Sequence, residues 1–308
     1  MAEIIQRDGT WVFDGDTVRI VPGHDKGVGL LRRTLGEVAV PLEALAGIAF
    51  ESGRRSGRLR LRLRDGADPL LQVTGGKLDD ASDPYRLTVE SDRSGVAEYI
   101  VDEVRNALLL DEVASGPVDR YLLPGPALPL TVGAGDATVT FDGERIRLEW
   151  NWKTEESKSS GGPRTLDIAD LDGVEWLPSA GLENGYLRFR VAGAVPSATP
   201  PKYDPYAAEL WGFKKDQLMA LVGAAVVARL PHPHAPRTPQ APRRPHALAT
   251  PATQSAHGEK PASAQAPASG DDHDALLRRL RELGELHQAG ILTADEFTAA
   301  KQAVLKRL

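Results

Sequence analysis

The arginines between residues 54 and 64 are the side chains whose type and spacing point most directly to a binding chemistry. In residues 57–64, written GRLRLRLR, arginine alternates with leucine. Successive side chains of a β-strand point to opposite faces, so these arginines would gather positive charge on one face of a sheet. Such a face is a candidate site for a phosphate group or an anionic lipid headgroup. The candidate residues are Arg54, Arg55, Arg58, Arg60, Arg62 and Arg64.

A solvated strand face is the second interpretation of the same arginines, and it is the one that we favour. Arginine on an exposed strand also discourages unwanted pairing with other sheets. The full chain of 308 residues carries a formal net charge of −6, which predicts no bulk attraction to nucleic acid or to an anionic membrane. A smaller set of alternating arginines, Arg188 and Arg190, occurs later in the chain.

The other side chains that could do chemistry form no recognisable catalytic motif. The chain has no cysteine, which excludes disulfides, thiolate metal sites and cysteine nucleophiles. It contains no phosphate-binding glycine loop, no nucleophile elbow and no H-E-x-x-H motif. His232 and His234 could hold a metal weakly, but their low-complexity surroundings offer no pre-organised geometry. We therefore predict a protein with no catalytic residues, no metal site and no cofactor.

Two long stretches of the chain match each other in the same order, which indicates an internal duplication. Several matches in one order are hard to produce by chance, so we expect both copies to adopt the same fold. The matching pairs are TWVFDGDTVRI (10–20) with TVTFDGERIRL (138–148), VAVPLEALAGIAF (38–50) with RTLDIADLDGVEW (164–176), and GRLRLRLR (57–64) with GYLRFRVA (185–192).

Each copy has the pattern of several short strands followed by a helix. Asp14-Gly15 and Asp142-Gly143 stand between alternating apolar runs, which predicts a two-residue hairpin with a type I′ turn. Near the end of each copy, apolar residues recur every three or four positions, which predicts an amphipathic helix. About seven antiparallel strands and one terminal helix are the order of a pleckstrin-homology-like (PH-like) domain. The helical positions are Val96, Ala97, Ile100, Val101, Val104 and Leu108 in the first copy, and Leu218, Leu221, Val222 and Ala225 in the second.

The tryptophans follow the same strand pattern. Trp150 and Trp152 alternate with Ile146 and Leu148, so we predict that they are buried on one face of a long strand. An exposed aromatic binding platform is the alternative. Trp11 and Trp176 are also predicted to be buried.

Changes in composition divide the chain into segments. We predict a first β domain at residues 8–112 and a second at 133–230. Residues 113–132 between them are too apolar for a free tether, so we expect them to pack on the domains. Residues 231–270 consist mainly of Pro, Ala, His, Ser, Thr and Gln, which cannot bury enough apolar surface to fold, and we predict a disordered linker. The remainder, 271–308, is predicted to be a helical hairpin.

The tail has the start and stop signals of two helices. A stripe of leucines marks the first helix, and Thr293 with Glu296 forms a capping box at the start of the second. A segment of this length rarely folds alone, so its apolar face should be covered by association. The candidate residues for oligomerisation or partner contact are Leu276, Leu280, Leu283, Leu286, Ile291, Phe297 and Val304.

These motifs resemble two known families. The tail sequence LRELGELHQAGILTADEFTAAKQAVL resembles the short C-terminal domain called SHOCT. The stretches YLLPGPALPL, FDGERIRLEWNW and GLENGYLRFRV are similar to domain of unknown function 4429, a family found in tandem in high-GC bacteria and grouped with bacterial PH-like domains. The resemblance implies a mainly β fold, with two tandem PH-like bent sandwich or barrel domains that each end in a helix. It implies no activity, while SHOCT segments imply oligomerisation or partner contact.

Taken together, the patterns favour a non-enzymatic adaptor or scaffold in the cytoplasm. The tandem domains would recognise a partner, and the tail would oligomerise or dock on a protein. The alternative is a peripheral membrane protein that binds anionic lipid through the arginine face. Neither interpretation involves nucleic acid or a small-molecule substrate.

Overall fold

The structure is a computed structural model that describes residues 1–195 and 197–235. In this part of the chain the fold is mainly β, with four antiparallel sheets. Each copy of the duplication forms one four-stranded sheet and one three-stranded sheet, and each ends in a helix. The predicted fold class, two β domains with terminal helices, is confirmed. None of the described sheets closes on itself, so each copy is an open pair of sheets rather than a barrel.

The first copy is built from strands β1 to β7 and helices α1 to α3. The strands form two meanders, in the orders β1-β2-β3-β4 and β5-β6-β7. Its first strand begins ahead of residue 8, the predicted start of the domain. In chain order the elements are β1 (Ala2–Gln6), β2 (Gly9–Phe13), β3 (Thr17–Pro22), α1 (Leu30–Leu35), β4 (Val38–Pro41), β5 (Leu45–Glu51), β6 (Ser56–Leu63), α2 (Pro69–Thr74), β7 (Arg86–Glu90) and α3 (Ser94–Leu110).

The second copy repeats this order but has no helix in the place of α2 among the described residues. Its sheets have the orders β11-β10-β9-β8 and β12-β13-β14. The elements are β8 (Leu130–Ala134), β9 (Ala137–Phe141), β10 (Arg145–Trp150), α4 (Glu156–Ser159), β11 (Arg164–Asp167), β12 (Leu171–Leu177), β13 (Gly185–Val191), β14 (Ala207–Leu210) and α5 (Met219–Val227).

The hairpin turns confirm that the two copies are equivalent. Phe13 ends β2 and Phe141 ends β9, and both side chains are buried. In each turn the preceding aspartate accepts two backbone N–H groups, at 3.1 and 2.8 Å from Asp14 and at 2.8 and 2.7 Å from Asp142. The type I′ prediction is wrong. That turn requires positive φ at both central residues. Here only the glycine of the turn has a positive φ, which is 119° at Gly15.

The cores follow from side-chain alternation. Along β6, leucine is buried and arginine is exposed at alternate positions. The leucines pack with Trp11 and Ile20 of the opposite sheet in the core of the first copy. Trp11 and Trp176 are buried, as predicted. The aliphatic side chains thus hold two sheets face to face, because burial removes their apolar surface from water.

The two terminal helices are buried to different extents. In α3 the buried side chains form one stripe, which confirms the predicted amphipathic helix. In α5 every residue from Met219 to Val227 is buried. The spacing of Leu218, Leu221, Val222 and Ala225 predicted only one buried face for α5. The rest of the helix is covered by α2, which comes from the first copy and packs against it.

Helix α2 joins the two copies through a shared core. Asp68 caps its N-terminus, Pro69 occupies its first turn, and Gly75 ends it in a left-handed conformation. Leu70 and Val73 of this helix belong to the core cluster of the second copy. The approach is close, because a Cβ atom built on Gly223 of α5 would lie only 2.9 Å from Cγ1 of Val73.

The segment between the copies also packs on them. Val118 and Leu123 are buried in the core of the first copy, while Tyr121 and Leu128 pack against that of the second. The backbone N–H groups of Leu122 and Leu123 both donate to the carbonyl of Ala67. Every helix that the structure describes is too short or too polar to cross a bilayer.

Candidate functional site

The arginine-bearing face of β6 is the outer surface of the three-stranded sheet in the first copy. Arg58, Arg60 and Arg62 are exposed there, because their neighbours in the strand point into the core. Arg54 and Arg55 are exposed in the connection between β5 and β6. The structure therefore places Arg58, Arg60 and Arg62 on one side of the sheet, while Arg54 and Arg55 lie in the connection before it, and it gives these arginines different roles.

Arg64 and Arg58 are both engaged by the fold. The guanidinium of Arg64 donates to three backbone carbonyls, those of Glu43, Gly116 and Pro117, at 3.0, 2.7 and 3.4 Å. It therefore fastens the segment between the copies to the sheet. Arg58 forms an ion pair with Asp80 at 3.2 Å.

Arg60 differs from its neighbours because its guanidinium has no hydrogen bond or ion pair within residues 1–195 and 197–235. Across the sheet it lies between Ala49 of β5 and Arg86 of β7. Arg86 is itself neutralised by Asp80 and by Asp83, which lies 2.9 Å from its Nε. Arg60 is thus the unpartnered cation in this row.

A groove of about 540 Å³ lies beside Arg60. Gly47 and Ala49 keep the β5 side of the groove shallow, because they carry little or no side chain. Arg62 reaches from the same strand, and its guanidinium donates to the carbonyl of Ala46 at 3.3 Å. Arg105 of α3 donates to the carbonyl of Ile48 in β5 at 3.2 Å. Three arginines therefore line the groove, together with the carboxylates of Glu51 and Asp83.

The second copy has the same backbone with different neighbours. Arg188 occupies the place of Arg60, and the corresponding row across the sheet is Glu175, Arg188 and Ala207. Arg188 lies 2.8 Å from Asp204 and 3.9 Å from Glu175. Its guanidinium also donates to the carbonyls of Ser197 and Thr199 at 3.3 and 2.7 Å. Arg188 is therefore neutralised and only 13% exposed.

Both copies match one family model, titled Domain of unknown function (DUF4429), over residues 11–105 and 139–227. The chain belongs to this family. A second model, titled Short C-terminal domain (SHOCT), matches residues 278–305, so both predicted resemblances are confirmed. The chain matches no curated protein.

The tail of this DUF4429 protein lies outside the described residues. The predicted association residues between Leu276 and Val304 therefore remain predictions, as does the linker beyond residue 235. The start of that predicted linker is described, and it contacts the first copy. His232 bonds to the carbonyl of Gly66 at 2.9 Å and packs edge-on against Tyr121, and His234 lies 3.1 Å from Asp65.

A buried ion pair in the second copy escaped the sequence analysis. Nζ of Lys158 lies 2.6 Å from the carboxylate of Asp136 and 3.1 Å from the carbonyl of Pro201. Burial raises the pKa of Asp136, while the charge of Lys158 opposes that rise. Asp136 also accepts the backbone N–H of Glu209 at 2.8 Å. This network ties together a turn, a helix and a strand, which is a structural role.

A second buried carboxyl group has a similar role in the first copy. Asp68 accepts the hydroxyl of Tyr85 at 2.7 Å and the backbone N–H groups of Leu70 and Leu71 at 3.0 and 3.1 Å. Burial raises the pKa of Asp68 and, together with that carboxylate, the pKa of Tyr85. The pair holds the start of α2 against the sheet, which positions the helix for docking on the second copy.

The prediction that Trp152 is buried is wrong. Strand β10 ends at Trp150, which is partly buried and donates to the carbonyl of Gly162 at 2.8 Å. Asn151 then turns the chain, because its amide side chain donates to Gly135 and accepts from the backbone of Lys153. Trp152 is 88% exposed as a result. Lys153 lies between Trp152 and two other aromatic rings, those of Trp211 and Phe213.

Proposed function

We propose that this protein is a non-enzymatic cytoplasmic adaptor, in which two PH-like domains form one recognition platform and the SHOCT tail joins chains together. The observation that supports this proposal most is the shared core of the two copies. Leu70 and Val73 of α2 are buried with α5 of the other copy, and tight packing of this kind resists relative motion. Binding surfaces on both copies would therefore be held in a fixed relation.

The order of elements supports the PH-like part of the proposal. In each copy a four-stranded meander is followed by a three-stranded meander and then by a helix. Each pair of sheets shares one core with its helix. A domain of this kind presents strands and loops around a rigid scaffold, which suits recognition.

The use of the buried charged groups supports a non-catalytic role. Asp68 caps a helix, and Asp136 pairs with Lys158. Asp216 accepts the backbone N–H groups of Trp211, Gly212 and Phe213 at 2.7, 2.8 and 3.1 Å. Each of these buried charged groups is bound by partners within the fold, so its burial needs no catalytic explanation.

We favour self-association as the action of the tail. Its leucine stripe would be covered by a second copy of the same stripe, and docking on another protein is the alternative. Affinity purification of the intact chain and of a chain lacking residues 271–308 tests the adaptor role. We expect the intact chain to capture a partner protein on its platform and further copies of the chain through its tail. The truncated chain should still capture the partner protein but no further copies of the chain. If neither form captures any protein, the adaptor role is wrong.

A peripheral membrane protein is the second candidate function. The observation that favours it is the exposure of Arg54, Arg55 and Arg60 in the first copy. Co-sedimentation with vesicles of phosphatidylcholine, with and without phosphatidylserine, separates the two candidates. The adaptor role predicts no difference between the vesicles, and lipid binding predicts sedimentation only with the anionic ones.

A further inference from the structure

We propose that the groove beside Arg60 binds an extended segment of a partner protein, through main-chain carbonyl oxygens and a carboxylate of that segment. This proposal rests on the proposed adaptor function, and it names the surface and the chemistry of the partner. It is carried by a comparison of the two copies, which share one backbone but differ in what their arginines contact.

The second copy shows which groups this arginine position binds. There the connection from β13 to β14 passes beside Arg188, and the arginine donates to the carbonyls of Ser197 and Thr199. The carboxylate of Asp204, from the same connection, lies 2.8 Å from its Nε. Arg188 is therefore held by main-chain carbonyls and by one carboxylate, all supplied by its own chain.

The first copy keeps the arginine but loses these partners. The register of β5 on β6 matches that of β12 on β13, including the irregularity before Gly47 and Gly173. Ala49 therefore stands where the second copy has Glu175. Asp83 corresponds to Asp204, because each begins an Asp-Pro-Tyr sequence. Asp83, however, is paired with Arg86. Arg60 is left with its full set of donors directed to solvent.

The path of the chain explains why Arg60 lacks the partners that Arg188 has. The connection from β6 to β7 contains α2, whose Leu70 and Val73 are buried in the core of the second copy. Leu71 and Gly76 of this connection line the groove, and its Asp80 and Asp83 pair with Arg58 and Arg86, so it supplies no partner to Arg60. The equivalent connection in the second copy binds Arg188 directly. The corresponding cavity there, of about 550 Å³, has Ser197, Thr199 and Asp204 in its wall.

The chemistry of the open groove selects its occupant. A guanidinium binds a carboxylate or a pair of carbonyls through parallel N–H donors, which favours a planar, extended chain over a bulky group. Arg62 and Arg105 add positive charge beside Arg60, while the groove also holds the carboxylates of Glu51 and Asp83, the latter paired with Arg86. Gly47 and Ala49 leave room for a main chain to approach the sheet closely. An extended peptide that carries a carboxylate fits these features.

Fluorescence anisotropy with the full-length chain tests the proposal. The probe is a labelled peptide that copies residues 197–205, acetylated and amidated so that its aspartate is the only carboxylate. A matched peptide has asparagine in place of that aspartate. We expect the first peptide to bind saturably. The second peptide should bind with an affinity at least about tenfold lower, because a charge-assisted bond is lost.

Two substitutions in the first copy should weaken the binding for different reasons. Arg60→Ala removes the donors, and Ala49→Glu supplies the internal carboxylate that the second copy has in Glu175. Each should weaken binding at least about tenfold. Arg190→Ala is the matched control, because this exposed arginine already pairs with Asp172 and Glu175, and it should leave binding unchanged.

Absence of binding to the unaltered chain would overturn the proposal, and so would equal binding to the Ala49→Glu variant. Vesicle binding that Arg60→Ala removes, without peptide binding, would also overturn it in favour of lipid. The adaptor function is judged separately by partner capture. If Ala49→Glu still captures the platform partner, the adaptor function stands and only the assignment of this groove fails.

Discussion

Replacing Lys158 by methionine should destabilise the second copy more than any exposed substitution near it. The side chain of Lys158 is fully buried, 2.6 Å from the carboxylate of Asp136. Methionine fills a similar volume but leaves that carboxylate buried without its counter-charge. Breaking a buried ion pair in this way costs about 3–5 kcal/mol. The carbonyl of Pro201 also loses a donor.

Urea unfolding followed by tryptophan fluorescence measures this loss. Lys153→Met is the matched control, because Lys153 is exposed five positions earlier and its loss should change the free energy of unfolding by no more than about 0.5 kcal/mol. In the double variant Lys158→Met with Asp136→Asn, no charge remains buried, while the amide oxygen can still accept the N–H of Glu209. We expect the double variant to be more stable than Lys158→Met by about 2 kcal/mol.

The loss in Lys158→Met should also depend on pH. Burial raises the pKa of Asp136 above its ordinary value of 3.8, and removal of Lys158 removes the charge that opposes this rise. A carboxyl group whose pKa is higher in the folded than in the unfolded protein favours folding at low pH and opposes it once the pH exceeds 3.8. The difference from the unaltered protein should therefore be largest at neutral pH and shrink as the pH falls. A loss below about 1 kcal/mol at neutral pH, or a double variant no more stable than the single one, would show that the pair does not hold the fold together.

Three further substitutions test the cores and the junction of the two copies by the same unfolding measurement. Leu61→Asp should unfold the first copy because it buries an unpaired charge. Arg60→Ala should change stability by no more than about 0.5 kcal/mol. If Arg60→Ala were the more destabilising of the two, the faces of β6 would be inverted. Gly223→Val should cost about 1–3 kcal/mol of stability because the new side chain crowds Val73. Gly95→Ala is the control: Gly95 has open space around it, so this substitution should change stability by less than about 1 kcal/mol. Equal effects would argue against close packing of α5 on α2. Asp68→Ala should cost about 2–4 kcal/mol of stability because it removes the acceptor of three hydrogen bonds. Asp68→Asn should retain most of that stability. If the Ala variant is as stable as the Asn variant, the cap is unimportant.

The sequence predicted those features of the fold that depend on local periodicity. Alternation in β6 identified the buried leucines, and the spacing of Ala97, Ile100 and Val104 identified one face of α3. The matched motifs predicted that Phe13 and Phe141 would be equivalent. Each of these signals lies within a short stretch of chain, where side-chain direction follows directly from the repeat of a strand or helix.

The junction of the copies could not be predicted in this way. The Asp68-Pro69 start and the Gly75 end of α2 are readable helix signals that the sequence analysis missed. What covers the helix, however, depends on residues of α5 more than a hundred positions away. The uniformly apolar sequence of α5 was a further sign, because a helix that is hydrophobic all round is buried on all sides.

The candidate site was predictable only in outline. The sequence placed Arg58, Arg60 and Arg62 on one face, but it could not distinguish Arg60 from Arg64. That distinction depends on the path of residues 116–117, whose carbonyls bind Arg64. Trp152 was misassigned because the alternation continues past Trp150, while the side-chain bonds of Asn151 end the strand.

Light scattering coupled to gel filtration tests the central claim most directly, namely that the SHOCT tail joins chains of this protein. The full chain, with a monomer mass of 33.1 kDa, should elute as an oligomer of at least twice that mass. Leu280→Asp with Leu283→Asp should return it to the monomer mass, because charges replace the leucine stripe, while Arg105→Ala on the platform should leave the oligomer intact. A full chain that stays at 33.1 kDa at high micromolar concentration would contradict the claim.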